Sequence, residues 1–519
     1  MNYRSVLKRY PSSSKIKSLI LIGVLIFTLI GKFIVEVRES FIAQHNKESV
    51  TVFVQENKTV YHPLFSENSL KAKVLNKIFY KGLVSYNPES QTYVSDLAEF
   101  NINQDATNFT FRVKDNQFWS DGTAITIEDA LFTYKNIIQN IKFTNKFLYN
   151  QFQQVKIDHS RENEMTVIIP SSNSFFIDLF TLPILPKHIY KQIKIEDFNS
   201  KNLGTFVVSN NFQKLKADSE LTKIEFENKQ NQNIILHIDA EKTQEYNLIV
   251  DNQEQLLEGY KKYSYLLPQY SAMFINMERS FFKNKIHRQA IKDAVNKHDL
   301  ENKIADQTII SKPFFQFDEI KSIPKTSFEL IKDNLQQSQY FSNKIDNNKT
   351  IKLSLIAIKH SNEKLNGINH TLIDHISQNL NKIGIEIVPQ LYDIEVFKQI
   401  LVNREYDLAI FGHDLGANYD SYSFWHSSQR FQNGLNITSY YNPLTDNLLE
   451  NLRRESNQNK KQDLAREINK QLNQDIPAIF LFTGKKYYFI DNQIKNRKIL
   501  NTYSHTSDIF YDIHSWQKT

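Results

Sequence analysis

From Thr51 onward, apolar residues recur with two periods that alternate along the chain. In Asn108-Phe-Thr-Phe-Arg-Val113, Phe109, Phe111 and Val113 share one side of an extended chain, and this two-residue period predicts a strand. A turn at Asp121-Gly122 follows. Thr126 then stands as a helix N-cap with Asp129 three residues on, the spacing at which each side chain satisfies the other's backbone amide. Ala130, Leu131 and Tyr134 lie on one face of the predicted helix.

The segment 351–412 carries the clearest architectural pattern. It reads as a strand over 351–358, then a helix through Leu372, Ile376, Leu380 and Ile383 that Gly384 ends. A strand over 385–391, a helix over 394–402 and a third strand over 406–411 follow. This β-α-β-α-β order predicts a mostly parallel sheet with right-handed crossovers. Ligands of such sheets collect beyond the carboxyl ends of the strands. The loop 412–420 is therefore a candidate binding site, with an ordinary surface loop as the alternative. Later, Leu464, Ile468 and Leu472 mark an amphipathic helix, and 478–482 a buried strand. The aromatic-rich C-terminal stretch reads as folded chain.

The N-terminus follows a different pattern. Residues 18–35 form an apolar run preceded by Arg4, Lys8, Arg9, Lys15 and Lys17, and the first acid is Glu36. As a helix the run spans roughly 27 Å, close to the hydrocarbon thickness of a bilayer. Lys32 sits near its outer end, where its stem can snorkel. The basic flank keeps the N-terminal side in the cytoplasm. These features predict a cytoplasmic basic segment 1–17, a single plasma-membrane anchor 18–35 and an extracytoplasmic body. A cleaved signal peptide is the alternative, with a poorly formed small-residue site at Phe41-Ile-Ala-Gln44. Either reading exports the body.

Composition narrows the function. Apolar residues at 40% and charged ones at 23% are those of a globular chain. The net charge of +6 is the difference between 63 basic and 57 acidic residues, and part of it lies before residue 18. So small an excess argues against a nucleic-acid partner. The chain has no cysteine, which excludes disulfides, thiolate metal sites, Cys nucleophiles and a cysteine-linked lipid anchor. It carries no G-x-S-x-G, H-E-x-x-H or P-loop pattern, so the expectation is a protein that is not an enzyme and uses no cofactor.

The run from Phe109 to Tyr134, with Trp119-Ser-Asp-Gly-Thr123, Thr126 and Glu128-Asp129 at its centre, closely resembles the signature of family 5 extracellular solute-binding proteins. This group includes oligopeptide, dipeptide and nickel binders. Further segments resemble the family in its order: Leu185-Pro-Lys-His188, Leu203-Gly-Thr-Phe206, Phe274-Ile-Asn276 with Ile286-His-Arg-Gln-Ala290, and Asp475-Ile-Pro477. The resemblance covers roughly 50–490. It implies an α/β, two-lobed fold of the class II periplasmic-binding-protein-like type, which the transmembrane helix expected from the N-terminal pattern would precede. Lobe I would comprise 45–270 plus 481–519, with an extra subdomain at about 80–190, and lobe II 271–480. It further implies a monomer that captures a peptide or similar small solute by lobe closure and delivers it to an ABC permease. A membrane-anchored sensor or scaffold, or a binder of a metal chelate, is the alternative. Trp119, Asp121, Gly122, Thr126 and Asp129 are then fold-holding residues.

The resemblance also places the ligand at His413, Asp414, Leu415, Gly416, Ala417, Asn418 and Tyr419. Peptide-binding members carry an aromatic and then an acid in this loop, the acid pairing with the peptide ammonium. Here Ala417 occupies the acid's place and Asp414 the aromatic's, so Asp414 is either the substitute counter-ion or the cap of a local turn. Lys81-Gly82 stands where the family often has Glu-Gly. His413 and His426 flank the loop without the regular spacing of a metal cluster, and no metal is expected. Tyr419, Tyr422 and Trp425 either line the cleft or pack in the core.

Overall fold

The computed structural model describes residues 49–519, except 57–59, 66–68, 199–205, 211, 240, 243–244, 251–257, 305, 315–325, 340, 342–349 and 432–433. The expected basic segment 1–17 and membrane anchor 18–35 lie outside the described residues. Within the described residues, no helix is long and apolar enough to cross a membrane.

The spine is a sheet of twelve described strands. Its order is Ile385–Tyr392, Ile351–Ile358, Leu408–Asp414, Gln269–Ile275, Ala478–Ile490, Leu248–Val250, Val50–Gln55, Asn233–Asp239, Lys223–Glu227 and Gln213–Ala217. Lys261–Leu266 and Gln307–Ile309 also pair with Ala478–Ile490. That strand joins the two halves: residues up to Phe482 pair with Gln269–Ile275, and residues from Lys485 pair with Lys261–Leu266. The second crossing is the short turn through Leu267 and Pro268.

The β-α-β-α-β reading holds in order and direction. Ile351–Ile358 pairs in parallel with both Ile385–Tyr392 and Leu408–Asp414, and helices Glu363–Asn381 and Ile394–Asn403 form the crossovers. Gly384 has φ +82°, a conformation that glycine adopts without strain. The third strand departs from expectation. It runs from Leu408 to Asp414 instead of 406–411, because antiparallel pairing with Gln269–Ile275 continues to Asp414 opposite Gln269. His413 and Asp414 are therefore strand residues, and the loop begins at Leu415.

Apolar side chains gather in separate cores. One is built from residues between Leu64 and Phe198, around a four-stranded sheet that includes Asn108–Val113. A second joins Val50–Gln55 and its neighbours to Tyr488, Tyr503, Phe510 and Trp516 near the C-terminus. Two more cover opposite faces of the 269–482 half of the sheet. The ring of Phe180 stands at the centre of the first core, within 6.0 Å of the rings of Phe109, Phe111, Tyr134, Phe152 and Phe176.

Candidate ligand-binding site

The segments that carry the resemblance bind mainly to one another. Trp119 is buried, and its backbone N–H donates to Thr123 O at 2.8 Å, closing the turn that Gly122 makes with φ +87°. Asp121 accepts from Thr123 N at 3.0 Å and contacts His188 Nε2 at 2.7 Å. The Thr126 side chain caps helix Ile127–Leu131, while Asp129 Oδ2 accepts from Thr126 N and Asp129 Oδ1 from Lys187 N. The Leu185–His188 segment is thus clamped onto the signature by backbone and ionic bonds. In the other half, Arg288 Nε donates to Asp475 O at 2.8 Å, and Asp475 Oδ2 accepts from Tyr440 OH and Asn442 Nδ2. Asn276 Nδ2 donates to Arg404 O and Tyr406 O. Leu203, Gly204 and Thr205 lie outside the described residues.

The candidate loop divides into residues that face outward and residues that pack. Asp414 is exposed and its Oδ1 accepts from Gly416 N at 2.9 Å, which is a local turn. His413 Nδ1 lies 3.0 Å from Tyr270 OH, and its ring stacks on Phe424 at 3.7 Å. Burial pushes its imidazole down to about 4, so it is neutral at pH 7. Leu415 is buried and its N–H donates to Pro268 O, fixing the loop to the crossing turn. At the far end, Asp420 takes a two-pronged bond from Arg453, whose guanidinium lies 3.9 Å over the Tyr422 ring. Trp425 is fully buried among Phe274 and Phe480. His426 turns its Nδ1 to Ser428. Among the described residues, no group of three or more His, Asp or Glu is placed to hold a metal ion.

Gly416, Ala417 and Tyr419 wall a cavity together with Gln458 from the same half and Tyr86, Pro88, Gln91 and 502–504 from the other. About 20 Å³ is open to the centre of a water molecule, room for about one. Beside it, the segment Ser174–Thr181 from the first half reaches across. Phe175 joins the second half's core, its ring 5.2 Å from Tyr419 and 4.1 Å from Lys461 Nζ. Ser174 Oγ donates to Glu455 O at 2.6 Å, and Asn418 Nδ2 to Asp178 Oδ2 at 3.4 Å. Asp178 Oδ1 accepts from Tyr93 OH at 2.8 Å. Burial raises the Asp178 carboxyl above its usual range, against the pull of the Tyr93 bond and of His505.

Sequence reasoning centred on 413–419 and missed Asp178. A lone acid inside the apolar run Phe175-Phe-Ile-Asp-Leu-Phe180 was the available signal, because acids are seldom placed among buried aromatics without a purpose. Lys81, in the place of the family's acid, turns its ammonium to Gln117 Oε1 at 3.3 Å, and burial lowers its pKa.

A sheet shared by two halves, joined by a long strand and a short turn, with a cavity walled from both sides, defines a two-lobed α/β fold of the periplasmic-binding-protein type. Residues 92–434 match the model of bacterial extracellular solute-binding proteins, family 5 (middle region), and the chain belongs to that family. Members of this family are solute-binding components of ABC transporters, of the peptide and nickel type, and work outside the cytoplasm; they are transport components, not enzymes. HbpA2 from Haemophilus parasuis has the same fold, with TM-score 0.74 and 14% identity over 91% of this chain and 100% of that one. So does the oligopeptide-binding protein AppA from Bacillus subtilis, solved with a nonapeptide, with TM-score 0.61 and 17% identity over 91% and 99%. NikZ from Campylobacter jejuni, solved with Ni(L-His), gives TM-score 0.62 and 17% identity over 91% and 100%. A probable ABC transporter-binding protein of Deinococcus radiodurans is 26% identical over 148 residues, 28% of this chain. That match spans 24% of the relative's own length.

Proposed function

We propose that the chain captures a peptide or similar small solute between its lobes, closes on it, and delivers it to an ABC permease. Lobe I is taken as 45–270 with 481–519, including the subdomain at about 80–190, and lobe II as 271–480. The anchor 18–35 holds the body at the outer face of the plasma membrane. The observation that carries this reading is the cavity walled jointly by Gly416, Ala417 and Tyr419 from one side and by Tyr86, Gln91 and 502–504 from the other. A ligand held there touches both lobes, so its binding energy favours the closed arrangement over the open one.

With room for about one water, the cavity must widen before a peptide enters, and the Phe175–Tyr419 contact beside it fills the junction further. That filled junction favours a second reading: a sensor or scaffold that keeps the fold and binds no solute. Calorimetry and thermal melting of the full-length chain in detergent, with pools of three- to nine-residue peptides, separate the two. Capture predicts a rise in melting temperature that grows with peptide concentration, because a ligand of the folded state alone stabilises it by mass action. No response to any pool favours the scaffold.

A further inference from the structure

We propose that the tip Ser174-Phe175 is an autoinhibitory latch, which shuts the two lobes on each other without a solute and competes with solute entry. The latch itself needs no solute; its competition with one rests on the capture reading. The segment Ser174–Thr181 divides its side chains between two cores. Phe176, Ile177 and Phe180 pack in the core built from residues 64–198, whereas Phe175 is buried in a core of the other half. Every other described residue buried in that second core lies between 270 and 480. A single ring thus leaves its own lobe to fill a place in the other.

The tip is aimed by its own lobe. Asn173 Oδ1 accepts from Phe175 N at 3.1 Å, and Asn173 N donates to Ala106 O at 2.9 Å. On the far side the Phe175 and Tyr419 rings meet edge to face, 5.2 Å between centroids, and Lys461 Nζ stands 4.1 Å over the Phe175 ring. An ammonium in that position is attracted by the negative face of the ring. Ser174 is buried beside it, and its Oγ donates to Glu455 O at 2.6 Å. These contacts hold the junction shut while the cavity next to them has room for about one water. Tyr419, on which Phe175 packs, is itself a wall of that cavity. The chain's own ring therefore satisfies the junction in place of a solute. Solute entry breaks the contact, and solute release re-forms it. The apparent affinity is then the intrinsic one reduced by the share of chains that are unlatched.

The test uses the full-length chain in detergent. Spin labels on Gln104→Cys and Asp463→Cys, which face each other across the junction, measure the unlatched share by pulsed electron paramagnetic resonance. Calorimetry with a pool of three- to nine-residue peptides measures affinity. In the free chain, Phe175→Ala should raise the ratio of long to short distances about tenfold or more, the effect of withdrawing one buried ring. Ser174→Ala should raise it about two- to tenfold, the effect of one hydrogen bond. Peptide affinity should rise in each variant by the factor by which its long-distance share rises. Unchanged distances in both variants overturn the latch, even where Phe175→Ala melts at a lower temperature, since the ring then does no more than pack a core. A larger long-distance share with unchanged or weaker peptide binding also overturns it, because the contact then does not compete with solute. Shifted distances with no binding of the pool to parent or variants support ligand-free closure by the tip and remove the capture reading, and the competition with it. Should Phe175→Ala fail to fold, the distances and affinity of Ser174→Ala decide by the same criteria.

Discussion

Two buried lysines of the second lobe hold their charge in different ways. Lys297 Nζ donates to Ile310 O at 2.9 Å and Phe480 O at 2.8 Å, with no acid paired to it among the described residues, and burial pushes its pKa down to about 7 from an ordinary 10.5. Lys461 lies over the Phe175 ring and is held at about 8 by burial, against the opposing pull of Asp420 and Glu455. Between about 7 and 10.5 the unfolded chain keeps a proton on Lys297 that the folded chain has lost, so this residue makes stability rise with pH across that window. Lys297→Met should flatten the rise in denaturant-measured stability from pH 7 to pH 10; a parallel curve would show that the charge is not buried as described. Phe180 is a simpler case. Removing a ring packed on five others leaves a cavity and should cost about 3–5 kcal/mol in Phe180→Ala, read as a lower denaturation midpoint.

At the scale of elements, the segment Ser174–Thr181 matters more than its length suggests. It supplies Phe180 to the first core, Phe175 to the second lobe and Asp178 to the junction. Its backbone is set by Gly82: a Cβ there would fall 2.6 Å from Phe180 O and 2.7 Å from Thr181 C, so only glycine allows the approach. Gly82→Ala should destabilise the chain by about 1–3 kcal/mol and weaken lobe contact by moving the segment, checked by melting and by the reactivity of a cysteine placed at Ser174. Sequence patterns reached some elements and not others for definite reasons. The Thr126–Asp129 cap was legible because both partners lie within one helical turn. The true end of strand Leu408–Asp414 was not, because it depends on antiparallel pairing with Gln269–Ile275, far away in the chain. Asp178 escaped for the same reason, its partner Asn418 lying 240 residues away.

For the whole molecule, the parallel order around 351–414 and the signature segment were enough to read a two-lobed fold. The way the lobes meet depends on side chains brought together only by tertiary folding: Phe175 against Tyr419, Ser174 on Glu455, Asn418 on Asp178. On the proposed reading these contacts belong to the closed state, and solute capture requires them to open and re-form. The absence of cysteine makes that directly measurable. Spin labels on Gln104→Cys and Asp463→Cys, exposed positions on opposite sides of the junction, report the distance between lobes by pulsed electron paramagnetic resonance. Ligand-driven closure predicts a longer-distance population in the free chain that shortens when a binding peptide pool is added. A single short distance that no pool shifts would contradict it.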